Sequence, residues 1–242
     1  MQKITTPQKA LMQRLLLVLF TMMMAGLAWA GPEEDALAAY ERKDYAEVLK
    51  IVKPAALKGE AWAQFSFGAM YEGGQGVVQD YTEAVKWYRL SAQQGHASAQ
   101  NNLGLMYGSG KGVVQDYAEA VKWYRLSAQQ GNMSAQYNLG VMYDKGQGVV
   151  QDFVEAVKWY RLSAQQGHTS AQNNLGFMYG TGRGVLQDFI KAHSWYNLSA
   201  ASGNATALEN RNTVVNQMTP QQIADAQKLA RDCQARQFKG CD

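Results

Sequence analysis

Signatures of catalysis and of metal binding are missing from this chain. No G-x-x-x-x-G-K-[ST] stands between a strand and a helix, so its glycine pairs are turns rather than phosphate cradles. No G-x-S-x-G elbow exposes a serine nucleophile. Histidine is confined to His96, His168 and His193, with no H-E-x-x-H and no close Cys/His group to hold zinc. Cysteine occurs only at Cys233 and Cys241. The longest apolar run, Leu15 to Leu27, covers 13 residues, short of the ~20 that a spanning helix needs. No Lys/Arg stripe with interleaved aromatics marks a nucleic-acid surface. Catalytic residues, cofactors and metal ligands are therefore expected to be none.

What the chain does contain is repetition. Tyr71, Tyr107, Tyr143 and Tyr179 fall 36 residues apart, as do Gly68, Gly104, Gly140, Gly176 and Trp87, Trp123, Trp159, Trp195. Four copies result, at 61–96, 97–132, 133–168 and 169–204. Fixed self-similarity at this period marks a stack in which each unit buries its apolar face against the next.

Each copy reads as two helices. In helix A, Ala99, Leu103, Met106 and Tyr107 recur at helical spacing, with Gly104 suited to close packing. Gly110-Lys111-Gly112 then turns the chain. Helix B starts at Asp116, an N-cap, with Glu119 expected to reach back; the pair recurs at Asp80/Glu83, Asp152/Glu155 and Asp44/Glu47. Lys191 replaces the glutamate after Asp188, so the last copy is expected to have the weakest helix start. Tyr117, Ala120, Val121, Trp123, Tyr124 and Ala128 form the buried stripe, and Lys122, Arg125 and Gln129 point outward. His96, Asn132, His168 and Asn204 share the inter-repeat turn, where capping explains them; Ser91, Ser127, Ser163 and Ser199 lie on the buried side.

The strings A-x-A-Q-x-x-L-G-x-M-Y from Ala97, G-x-G-V-x-Q-D from Gly110 and Y-x-E-A-V-K-W-Y-x-x-S-A from Tyr117 closely resemble the Sel-1-like repeat, a relative of the tetratricopeptide repeat. The resemblance covers residues 61–204. It implies an all-α fold, a right-handed superhelical solenoid of helix-loop-helix repeats, and service as an adaptor in protein assemblies. Cysteine-rich relatives described as penicillin-binding or β-lactamase-like carry a cysteine pair in each repeat, which this chain lacks. An association with cell wall (peptidoglycan) with weak hydrolase activity, or a secreted factor that engages host proteins, are the alternative readings.

Residues 1–30 carry Lys3, Lys9 and Arg14 with no acid, then the apolar run and Ala28-Trp29-Ala30, as a secretory signal would; Met12 is an alternative start, and a retained anchor the alternative fate. Cleavage leaves 20 basic against 20 acidic residues, so the basic balance of the precursor implies neither nucleic acid nor anionic membrane as partner. Export to the periplasm is expected, with secretion possible in principle and no stable membrane insertion afterwards. Residues 31–60 read as a tetratricopeptide-like capping unit and 205–242 as closing helices, with Thr219-Pro220-Gln221-Gln222 as a helix start. In an oxidising compartment Cys233 and Cys241 are expected to form a disulfide, two free thiols being the alternative. A monomer or weak oligomer is expected.

Residues constant for packing cannot select a partner, so specificity is sought where the copies differ. On helix A, positions 98, 101, 102 and 105 share a face opposite Leu103 and Tyr107, expected to line the inner curve. The ladder reads Trp62, Phe65, Ser66, Ala69; Ser98, Asn101, Asn102, Leu105; Ser134, Tyr137, Asn138, Val141; Ser170, Asn173, Asn174, Phe177. Aromatics mixed with amides suit a protein or peptide more than a highly charged ligand. Packing of Trp62, Phe65 or Tyr137 on the adjoining helix A is the alternative. Asparagine is a poor mid-helix residue and awkward to bury unpaired, so some of that row should face solvent or ligand.

Overall fold

Asp116 shows how the sequence sets one helix and the loop before it. Its carboxylate accepts from the Glu119 amide at 3.0 Å, and its own amide donates to the Tyr107 carbonyl at 2.9 Å. The amide that Glu119 was expected to satisfy is therefore already taken, and Glu119 pairs with Lys122 instead. The same arrangement holds at Asp80, Asp152 and Asp188. Asp188 caps the Lys191 amide at 2.9 Å, so the side-chain cap survives loss of the glutamate, while the first turn loses its acidic residue. In the loop, Gly110 takes the left-handed conformation at φ 72° and Gln115 Nε2 donates to the Gly108 carbonyl at 2.8 Å, tying the loop back to the helix it leaves.

The computed structural model describes residues 31–241, so the expected signal segment lies outside the described residues. The chain divides into two compact units at Val52. In the first, α1 (Pro32–Glu41) and the start of α2 (Tyr45–Leu57) bury Ala36, Ala39, Val48 and Val52. The second unit holds four helix pairs: α3 (Ala61–Gly73) with α4 (Tyr81–Gln93), α5 (Ala97–Ser109) with α6 (Tyr117–Gln129), α7 (Met133–Lys145) with α8 (Phe153–Ala164), and α9 (Thr169–Thr181) with α10 (Phe189–Ala201). α11 (Ala205–Val214), a short 3-10 turn (Val215–Gln217) and α12 (Pro220–Ala235) follow. Among the described residues all regular structure is helical, and in the second unit consecutive helices from α3 to α11 pack on one another: an all-α solenoid.

Within a repeat, Leu103, Met106, Ala120 and Val121 are buried, and Ser127 Oγ donates to the Ala97 carbonyl at 2.7 Å. Between repeats, Arg125 does not point outward; it is half-buried and donates to Tyr143 Oη at 2.9 Å, as Arg89 does to Tyr107 and Arg161 to Tyr179. Gln136 Nε2 reaches the Ala128 carbonyl of the preceding repeat at 3.2 Å. Trp123 is likewise half-buried rather than wholly interior, because its indole lies at the joint between repeats; only Trp195 of the series is fully buried.

The second glycine of each loop fixes that joint. Gly148 has φ 69°, and a Cβ there would overlap the Tyr117 carbonyl that opens helix B of the repeat before; Gly112 and Gly184 meet Tyr81 and Phe153 in the same way. At the other end, α12 packs on α10 and covers Leu198, 4% exposed, where its counterpart Leu126 is 45% exposed. Thr219 and Gln222 form the expected capping box. Cys233 and Cys241 are disulfide-bonded and buried in the core of the last repeats.

Gly148→Ala is expected to lower stability by at least about 2 kcal/mol, because left-handed strain adds to a backbone collision. Gly131→Ala, at φ 89° with no atom within 4 Å of the new carbon, should cost about 1 kcal/mol. Urea unfolding of the two variants side by side measures the difference.

Candidate functional site

The face that carries the differences between copies is built on the A helices. Each starts from a side-chain cap at the inter-repeat turn: His96 Nδ1 accepts from the Ala99 amide at 3.2 Å, and Asn132 Oδ1 accepts from that of Ala135 at 2.9 Å. His168 and Asn204 cap α9 and α11 in the same manner. Capping thus accounts for both histidines, as their shared position implied.

The fourteen candidate residues fall into three sets. Ser98, Ser134, Ser170, Trp62, Phe65, Asn102, Tyr137, Asn138, Val141, Asn173 and Asn174 are half-buried; Leu105 and Phe177 are exposed at 43% and 38%; Asn101 is buried at 7%. Phe65 stacks on His96 with centroids 4.8 Å apart, and Tyr137 stacks on His168 at 4.7 Å, so each aromatic braces the cap of the next repeat. Trp62 donates its indole N–H to Glu60 at 2.8 Å. The amide row bonds largely to itself: Asn138 Nδ2 donates to Asn101 Oδ1 at 3.1 Å, and Asn101 Nδ2 donates to Asn102 Oδ1 at 3.2 Å. Arg183 lies over Phe177 and over Phe153, 5.4 and 5.5 Å from the ring centroids.

The helix-B tyrosines, of which Tyr124 was expected only as part of the buried stripe, send their hydroxyls to this face. Tyr88 Oη donates to Glu72 at 2.6 Å and Tyr160 Oη to Asp144 at 3.2 Å. Tyr124 and Tyr196 face Gly108 and Gly180 instead. Burial raises all four phenols above their ordinary values, with Glu72 and Asp144 adding to the rise at Tyr88 and Tyr160. They are O–H donors at any physiological pH. The signal that would have found them is the alternation Glu72, Gly108, Asp144, Gly180 at one position of successive copies. Also outside the reading are Val78, Val114, Val150 and Leu186, almost fully exposed at one point of each loop. No group of three or more His, Cys, Asp or Glu side chains converges among the described residues.

The sequence profile of the Sel1 repeat matches residues 63–96, 97–132, 134–168 and 169–204. A protective antigen present in uropathogenic Escherichia coli strains, displaying an SLR fold, is 42% identical over 67% of this chain, with a TM-score of 0.65. The chain spans 35% of that antigen's length. A Sel1 repeat protein from Oxalobacter formigenes is 31% identical, covering 82% of this chain and 74% of its own, again with a TM-score of 0.65. No curated protein matches the sequence.

Burial holds the His168 imidazole below the ordinary histidine range, and His193 is shifted the same way by burial and by Arg211. A folded-state value below the unfolded one means that the fold favours the neutral ring. That stability is complete above about pH 6.5 and is lost as pH falls through the lowered value. His168→Asn, which copies the cap at Asn132, is expected to lose less stability than the parent between about pH 7 and about pH 5. Urea midpoints across that range measure it.

Proposed function

Because this chain belongs to the Sel1 repeat family, we propose that it is an exported, non-catalytic scaffold that holds a partner protein or peptide on its helix-A face. Sel1 repeat proteins are generally protein-interaction scaffolds. The observation that carries the reading is the contrast between the two kinds of position. Ala99, Met106 and Ser127 recur through the copies and are buried, whereas Leu105 and Phe177 differ between copies and leave large apolar surface open beside the amide row. Apolar anchors ringed by polar groups are what a protein partner uses for affinity and register.

Three observations support export. The sequence of residues 1–30 has the form of a cleaved leader, the chain carries a disulfide of the kind that persists in oxidising compartments, and it is similar to a protective antigen. No helix among the described residues is long and apolar enough to cross a membrane. The periplasm is the compartment this reading favours.

Leu105→Ala combined with Phe177→Ala is expected to weaken capture of an in-cell cross-linked partner by about tenfold or more while the melting temperature stays at the parent value. Leu139→Ala, in a fully buried position, should instead cost about 2–5 kcal/mol and reduce capture only in proportion to lost folded protein. Equal loss of capture per folded molecule in both would reject the face.

A further inference from the structure

The four repeats are two pairs rather than four equals. In repeats one and three an aromatic, Phe65 or Tyr137, occupies the position that Asn101 and Asn173 occupy in repeats two and four. That choice governs the asparagine one repeat further on. Beside Phe65, Asn102 Nδ2 is free to donate to Tyr88 Oη at 3.2 Å, and Asn174 stands within reach of the Tyr160 and Tyr137 hydroxyls. Beside Asn101, Asn138 Nδ2 turns to Asn101 Oδ1 at 3.1 Å, and Asn210 turns to Asn173 Oδ1 at 3.0 Å.

The carboxylate alternates in step. Tyr88 has Glu72 as acceptor and Tyr160 has Asp144, but in repeat two that position is Gly108. Tyr124 Oη is thereby left with no hydrogen-bond partner among the described residues. The residue is buried, 4% exposed, and lines a hollow of about 350 Å³ that also takes in Gly108, Tyr117, Asn138 and Lys145. The hydroxyl opens into this hollow, so its proton is available to an incoming acceptor.

We propose that this hollow receives the side-chain carboxylate of an aspartate or glutamate on the docked partner, in the place that Glu72 and Asp144 fill from within the chain. The lining specifies the charge. Tyr124 supplies an O–H donor; Tyr117 Oη accepts from Gln115 Nε2 at 3.1 Å, which leaves its own proton to give; Lys145 adds a cation engaged in no ion pair among the described residues, and no Asp or Glu among them lines the hollow. The oxygens of a carboxylate match these convergent donors, and the charged acceptor makes each bond stronger than an amide would. Tyr196, Gly180 and Asn210 repeat, two repeats on, a phenol with no acceptor among the described residues. The inference rests on the docking reading above and names the chemistry that the face selects.

The test titrates the labelled full chain with a capped Ala-Ala-Glu-Ala-Ala peptide, its Gln counterpart, and an all-Ala peptide with a free C-terminal carboxylate, following the Gly108 amide and the Tyr124 ring by NMR. Saturable shifts with the Glu peptide alone are expected. Tyr124→Phe should weaken them about tenfold or more, since a hydrogen bond to a charged group carries that free energy. Gly108→Asp should abolish them while melting at or above the parent temperature, because its Cβ meets only ordinary contacts, 3.6 Å from Tyr124 Oη, and its carboxylate copies Asp144. Equal shifts from Glu and Gln, binding of the free C-terminus alone, or undiminished binding to folded Gly108→Asp would each overturn the proposal. Capture that depends on Leu105 and Phe177 but ignores Gly108→Asp sinks this inference and spares the docking face; peptide binding without any such capture does the reverse.

Discussion

One missing carbon per repeat sets both the packing and the chemistry of this molecule. At Gly68, Gly104, Gly140 and Gly176 an added Cβ would stand 2.7–2.8 Å from the ring of Tyr88, Tyr124, Tyr160 or Tyr196. Helix B can therefore pass under helix A with a tyrosine ring pressed flat on its backbone. A mid-helix glycine costs about 1 kcal/mol in propensity, which close packing of a large ring offsets. The same contact decides where the hydroxyl goes. It emerges one turn further along helix A, at Glu72, Gly108, Asp144 or Gly180, four residues after the glycine. The closest approach in the fold and the candidate site are thus one feature seen from its two ends.

From this follows a distinction between what a repeat needs and what it can vary. The tyrosine cannot change without losing the packing, but the residue over its hydroxyl can be acid or glycine. With an acid the repeat is satisfied internally; with glycine it presents a donor. Because the aromatic-or-asparagine choice at positions 65, 101, 137 and 173 alternates in the same phase, each open phenol also loses the asparagine that would otherwise have bonded it. The cap at the next turn follows suit: His96 and His168 sit where a ring is available to stack on, and Asn132 and Asn204 where it is not. The polar pattern of the second unit repeats every two copies, although its packing repeats every one.

Much of this was legible in the residues. Helix limits, caps, glycine turns, the buried serines and the closing helix depend on neighbours close in sequence or on the repeat itself, and pattern reads those well. What escaped depends on how one repeat meets the next. Arg125 looks like a solvent residue until Tyr143 is placed above it, and Glu119 looks like a capping partner until the Tyr107 carbonyl is seen to hold the amide. Trp123 counted as core by spacing, yet lies half-open at a joint. The alternation at Gly108 was visible letter by letter, but a search for what four copies share averages it away.

Departures from the repeat do not all carry the same meaning, and the last copy shows how to separate them. His193 replaces valine, Ser194 replaces lysine and Ser202 replaces the glutamine of positions 94, 130 and 166. The first two are buried, in the helix that α12 covers, so they answer to the closure of the stack. The third has a measurable cost: Gln130 donates to Gln100 Oε1 at 2.7 Å, whereas Gln172 Oε1, with Ser202 in the donor's place, has no partner among the described residues. These changes occur once, beside the covering helices. Gly108 and Gly180 recur with the two-repeat period, and Gly108 lies in a repeat flanked by repeats on both sides, so closure cannot explain Gly108. At Gly108, away from the ends, an acceptor is removed without another being supplied, which leaves the Tyr124 hydroxyl open to an acceptor from outside the chain.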